Sequence, residues 1–280
     1  MPHTTTAPSL YYETSGDAGG EPVVLIAGSA AQLIWWRDGF VQALVDRGLF
    51  VIRFDNRDTG LSDRMGGPGD LGPCYTLDDL GADVCRVLDA LELRSAHVIG
   101  QSLGGGIAQA MALNAPDRVR SLTLFYTMPH LAAEFLTETL LASAALPDPD
   151  ASLTRDAAIA YLDAQGRATA STLYPFDEAW NHAQSCRHYD RGWCPEGVIR
   201  QSAVMLGWVD RGDALSALAI PAAIIHGRAD HAIRPEGGIA LARTIPDSEL
   251  HLYPGMGHEI PQALWDEFAT IIARTVARAA

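Results

Sequence analysis

The sequence predicts an α/β protein: a mostly parallel, doubly wound sheet with a helical lid inserted between two of its strands. Three observations carry this. Short apolar runs alternate with helical patterns, the stretch from about Met128 to Asp213 breaks that alternation, and a Gly-x-Ser-x-Gly turn joins one apolar run to a helix. Alternating strands and helices put successive strands parallel through right-handed crossovers.

Strands are expected at Val23–Ile26, Phe50–Phe54, Ala96–Ile99, Ser121–Phe125, Ala222–His226 and Glu249–Tyr253, all short, apolar and mostly rich in β-branched residues. Helices are expected at Trp35–Asp46, Leu77–Leu91, Leu103–Asn114, Gly238–Arg243 and Ala263–Ala277. Asn114-Ala115-Pro116-Asp117 closes one helix and Ile220-Pro221 precedes a strand. Between them, residues 128–213 hold helical stretches broken by Pro147, Pro149, Gly166, Pro175 and Pro195, with Pro147-Asp148-Pro149-Asp150 as a short loop. A structureless connection of that length is unusual. Residues 128–213 are therefore read as a helical lid on a core formed by 1–127 and 214–280.

Composition narrows the function. A chain of 280 residues with 48% hydrophobic and 19% charged residues suits one large soluble domain. Thirty-four acidic against 20 basic residues give a net charge of -14, and no basic cluster offsets it, which disfavours nucleic-acid binding. No apolar stretch is long enough for a membrane span. Met1-Pro2-His3-Thr4-Thr5-Thr6 lacks the basic and apolar segments of a secretory signal, so cytoplasmic residence is expected. The four cysteines, Cys74, Cys85, Cys186 and Cys194, are too spread for a disulfide framework. Cys186 and Cys194 with His182 and His188 match no zinc spacing and read as residues on lid helices.

The chemistry concentrates at Gly100-Gln101-Ser102-Leu103-Gly104, after the apolar run Ala96-His97-Val98-Ile99. A serine at the apex of a strand–turn–helix sits on strained backbone that lifts its hydroxyl off the sheet. The helix beneath offers oriented N–H groups to a developing oxyanion. Alone the pattern is loose, because small residues also collect at tightly packed strand–helix junctions. A serine nucleophile needs a base and an orienting carboxylate. Asp230 follows the Ala222–His226 strand, and His258 follows the last strand within Gly255-Met256-Gly257-His258. Parallel strands bring their C-terminal ends to one edge of the sheet, so Ser102, Asp230 and His258 would converge there. Read blandly, Asp230 is a turn residue and His258 structural; the set of three is more specific than any member. His231 reads as a loop histidine, and His226 and His97 as core or rim residues. Oxyanion donors are expected from the N–H groups of Leu103 and of Ser29, in the loop Ala27-Gly28-Ser29-Ala30-Ala31.

These residues resemble those of the α/β-hydrolase family. Arg53-Phe54-Asp55-Asn56-Arg57-Asp58-Thr59-Gly60-Leu61-Ser62 looks like its Asp-x-Arg-Gly-x-Gly-x-Ser loop, in a variant with Asp-Thr before the glycine. With the Gly-Met-Gly-His ending and Trp36, the chain is similar to aclacinomycin methylesterases and related actinobacterial esterases, which hydrolyse a carbomethoxy group on an aromatic polyketide. Ala27 stands where many relatives carry histidine, and the lid is the least similar region. Arg57 and Asp58 read more simply as ties between loops. The resemblance implies a serine hydrolase that cleaves a carboxylic ester, such as a methyl ester or lactone of a bulky, polyketide-like small molecule. No metal or organic cofactor is implied. A cofactor-free perhydrolase or haloperoxidase would reuse the same three residues, and a ligand receptor with vestigial hydrolysis would keep the fold. Trp36, Met128 and Trp208 are candidates for the substrate pocket.

Overall fold

The computed structural model describes residues 2–67, 70, 72, 74–143 and 152–279. In chain order the elements are β1 (Tyr12–Ser15), β2 (Glu21–Ile26), α1 (Asp38–Val45), β3 (Leu49–Phe54), α2 (Leu77–Ala90), β4 (Ala96–Gln101), α3 (Leu103–Asn114) and β5 (Val119–Phe125). Among the described residues, five helices follow without a strand: α4 (Glu138–Ser143), α5 (Arg155–Ala168), α6 (Glu178–Gly192), α7 (Pro195–Leu206) and α8 (Gly212–Leu215). The chain then returns to the sheet through β6 (Ala222–Gly227), α9 (Pro235–Thr244), β7 (Ser248–Tyr253) and α10 (Trp265–Arg278). Among the described residues, the seven strands lie in the order β1-β3-β2-β4-β5-β6-β7, and only β1 runs antiparallel to its neighbour.

Burial on both faces explains why the strands read as apolar runs. Along β2, Val23 and Leu25 join the side packed by α1 and α10, through Phe40, Leu44, Phe268 and Ile272. Val24 and Ile26 face the side covered by α2, α3 and α9, through Val84, Leu88, Ile107 and Leu241. The period of two thus assigns successive residues to two cores. On α10 the buried set Phe268, Ile271, Ile272, Thr275 and Val276 has the spacing of a single helical face.

The structure departs from the sequence expectation in four places. Strand β1 was not foreseen: it is a half-buried edge strand with polar residues. The helix expected over Trp35–Asp46 divides into a 3₁₀ turn, Leu33–Trp35, and α1, because Trp36 and Arg37 have extended ψ angles of 96° and 135°. Helix α9 starts earlier than expected, at Pro235, which suits the first helical position. Gly166 lies inside α5 instead of breaking it. The stretch Pro147–Asp150 is outside the described residues. No helix among the described residues is long and apolar enough to cross a membrane.

Candidate active site

Ser102 occupies the hinge between β4 and α3 with φ 54° and ψ -121°, a region that non-glycine residues rarely enter. Close approach of backbones holds it there. A Cβ on Gly104 would lie 2.3 Å from Ile26 O, so only glycine lets α3 start this near β2. The Ser102 N–H donates to Phe125 O at 3.0 Å, and Thr127 Oγ1 donates to Ser102 O at 2.8 Å. Both peptide groups of the strained residue are therefore tied to the end of β5 and the loop that follows it.

The loop after β2 touches this turn. A Cβ on Gly28 would sit 3.3 Å from Ser102 Cβ. Ala31 N–H donates to Gly28 O at 3.2 Å, closing a turn, and Ala30 N–H donates to Gln201 Oε1 at 2.7 Å. Among the described residues, the Ser29 and Leu103 N–H groups have no acceptor. Leu103 opens α3, where the first N–H groups lack intrahelical acceptors.

Asp230 follows β6. Its Oδ1 accepts the N–H groups of Ala232 and Ile233 at 2.7 and 3.0 Å, and its Oδ2 lies 2.8 Å from His258 Nδ1. His226 Nε2 approaches the same oxygen at 3.4 Å and donates to Ile233 O at 3.0 Å. Burial alone would raise the Asp230 carboxyl, but the facing His258 and His226 and their hydrogen bonds bring it well below the usual carboxylate range. The carboxylate thus fixes Nδ1 of His258 as the protonated ring nitrogen, which leaves Nε2 as an acceptor. The His258 N–H donates to Thr169 O at the end of α5 (2.9 Å), and the Tyr126 ring stands 4.5 Å from its imidazole.

Ser102 and His258 line one cavity of about 1480 Å³ between the sheet edge and α4–α7, together with Ser29, Trp36 and Met128. That exceeds the ~300–1,000 Å³ of ordinary small-molecule sites. Trp208 does not line it. Its ring packs instead against Gly106 of α3, so the pocket role expected from its position at a chain junction gives way to a core role. His188 lines the cavity and accepts from Trp35 Nε1 at 3.0 Å; burial, then Arg191 and Arg64, lower its pKa to about 3. His182 pairs with Asp163 on α5. His97 is a core residue bonded to Ser121 Oγ, and burial, then Arg120, lower its pKa to about 4.

The loop at Asp55–Ser62 works as an anchor. Arg57 forms two 2.6 Å bonds to buried Asp83 on α2. Asp58 takes Arg200 of α7 in a bidentate pair at 2.7 and 2.9 Å, with both side chains buried. Asp55 takes Arg191 of α6 at 3.0 Å. Tyr126 and Gln201 adjoin the site without having been singled out in the sequence: neither sits in a motif, and each acts through spatial neighbours.

The seven-stranded sheet, the strained serine and the β6 and β7 loops agree with the sequence comparison. The description "alpha/beta hydrolase fold" matches residues 21–261. The chain belongs to the α/β hydrolase family. Within that family it is 32% identical over 289 residues to the rhodomycin D methylesterase DnrP of Streptomyces peucetius, covering 94% of this chain and 93% of that one. Among solved α/β hydrolase structures, the meta-cleavage product hydrolase CumD of Pseudomonas fluorescens IP01 superposes with a TM-score of 0.76 at 23% identity, over 97% of this chain and 95% of that one. The esterase RhEst1 of Rhodococcus sp. ECU1013 gives 0.77 at 20% identity, over 97% and 96%. These two likenesses establish the fold.

Proposed function

We propose that this α/β hydrolase cleaves carboxylic esters through an acyl-enzyme on Ser102, with His258 as base, Asp230 as its orienting acid, and the Ser29 and Leu103 N–H groups as oxyanion donors. The observation that carries the reading is the 2.8 Å bond from His258 Nδ1 to Asp230 beside a cavity that also holds the strained Ser102.

Attack of Ser102 Oγ on the ester carbonyl passes its proton to His258 Nε2, and charge accumulates on the carbonyl oxygen. Collapse breaks the bond to the alkoxy oxygen, which leaves with the proton from Nε2. Water then attacks the acyl carbon, again giving a proton to His258, and the carboxylic acid leaves as Nε2 returns that proton to Ser102 Oγ. Residues 128–213 act as a lid over this chemistry, on a core formed by 1–127 and 214–280.

The substrate proposed is a methyl ester of a bulky small molecule. Two things support it: the relative named a rhodomycin D methylesterase, and a cavity of about 1480 Å³ that a short-chain ester would leave largely unfilled. Intact mass after treatment with a fluorophosphonate tests the mechanism. One adduct on the wild type and none on Ser102→Ala is expected, with ester turnover lowered by several orders of magnitude in the variant. Retained turnover by Ser102→Ala removes the assignment.

A further inference from the structure

Gln201, on α7, is fully buried and reaches two loops of the sheet edge. Its Oε1 accepts the Ala30 N–H at 2.7 Å, and its Nε2 donates to Arg57 O at 3.0 Å. A backbone donor on one side and a backbone acceptor on the other admit only one orientation of the amide. Its neighbour Arg200 is pinned by the buried bidentate pair with Asp58, which fixes where α7 stands.

The loop it holds is the turn closed by Ala31 N–H and Gly28 O. Ala30, third in that turn, has φ 58°, a conformation that favours glycine. Two-peptide turns of this kind relax by flipping their central peptide, here the one between Ser29 and Ala30. That flip would turn the Ala30 N–H away from Gln201. The bond at 2.7 Å therefore opposes the flip, and with it any swing of the adjoining Gly28–Ser29 peptide that carries the Ser29 N–H.

We infer that Gln201 is a positioning residue: it holds the turn after β2 so that the Ser29 N–H stays aimed at the oxyanion forming above Ser102. The inference rests on the acyl-enzyme reading above. The device is contributed by a helix from outside the sheet, so the hole is complete only with α7 docked.

The test compares wild type, Gln201→Met, which keeps the length but loses both bonds, and Gln201→Asn, which is one methylene too short to span them. Each is measured for kcat and KM with p-nitrophenyl butyrate, for the rate of fluorophosphonate labelling, and for thermal unfolding. Loss of one oxyanion donor costs roughly 10²–10³ in kcat, so a misaimed donor is expected to cost ~10–100-fold. KM should stay within threefold, and the labelling rate should fall in parallel, because phosphonylation also loads charge on the oxygen. Arg155→Ala, in an exposed pair with Asp190 on the same helical segment, should change none of these. Should Gln201→Met not fold, Gln201→Asn decides alone. A folded variant with kcat and labelling within threefold of wild type overturns the inference and leaves the hydrolase reading standing. A wild type that neither labels at Ser102 nor turns over ester overturns both.

Discussion

Asp230→Asn is the most informative perturbation, because the surroundings of the carboxylate dictate how the amide must sit. Oδ1 receives two backbone N–H groups, from Ala232 and Ile233 at 2.7 and 3.0 Å, so only the amide oxygen fits there. The NH₂ group must then take the place of Oδ2, 2.8 Å from His258 Nδ1. It donates to Nδ1, the imidazole proton moves to Nε2, and the nitrogen proposed to take the Ser102 proton can no longer do so. His226 keeps its bond to Ile233 O, so the loop stays in place. A wrong tautomer in a preserved frame costs ~10⁴ in kcat, equal to about 5.5 kcal/mol of barrier at ~1.4 kcal/mol per tenfold. The assay is turnover of p-nitrophenyl butyrate, with wild type and variant compared at equal folded concentration. Asp230→Asn retaining kcat within tenfold, with unfolding unchanged, would refute the assignment of Asp230 as the orienting acid.

Two further predictions concern stability. Arg200→Ala leaves Asp58 buried without its partner, which costs about 3–5 kcal/mol, or ~5–9 °C of melting temperature at ~2.1 cal/mol/K per residue; scanning calorimetry reads it. Asp58→Asn keeps an acceptor for the Met65 N–H, so adding it to Arg200→Ala should recover much of the loss, and strict additivity would argue against the pair. Acidification tests the buried histidines. His97 and His188 have pKa values lowered to about 4 and about 3, so between those values and the ordinary ~6.5 the unfolded chain binds protons that the fold does not. Their contribution is complete above pH ~6.5 and is lost as pH falls toward about 4 for His97 and about 3 for His188; at pH 5 each histidine accounts for about 2 kcal/mol at ~1.4 kcal/mol per pH unit. Urea unfolding at pH 8 and pH 5 measures it, and equal stability at both would mean these histidines are not held neutral.

Much of the architecture was legible because burial on two faces writes apolar runs into the strands, and Leu103–Asn114 coincides with α3. Edge strand β1 gave no such signal, since Glu13 and Thr14 face water or polar neighbours and its partner β3 lies 40 residues on. The break at Trp36 and Arg37 was hidden because the apolar pattern continues across it while the backbone turns extended. Ser102, Asp230 and His258 stood out because each follows a strand in a short, small-residue loop. Gln201 did not, since it acts on Ala30 across 171 positions and nothing local marks it. Trp208 misled for the opposite reason: its junction position suggested the cavity, whereas its ring fills the space beside Gly106.

The loop at Asp55–Ser62 also constrains how this hydrolase can be re-engineered or can diverge. Arg191, Arg200 and Gln201 all fasten the helical segment to that loop or its neighbours. A graft of residues 128–213 from a relative is therefore a modular exchange only if it brings three matching side chains, or if the recipient's Asp55 and Asp58 change with it. A chimera that ignores them inherits two buried, uncompensated carboxylates, so selection for new substrates is channelled into the cavity wall and away from these anchors.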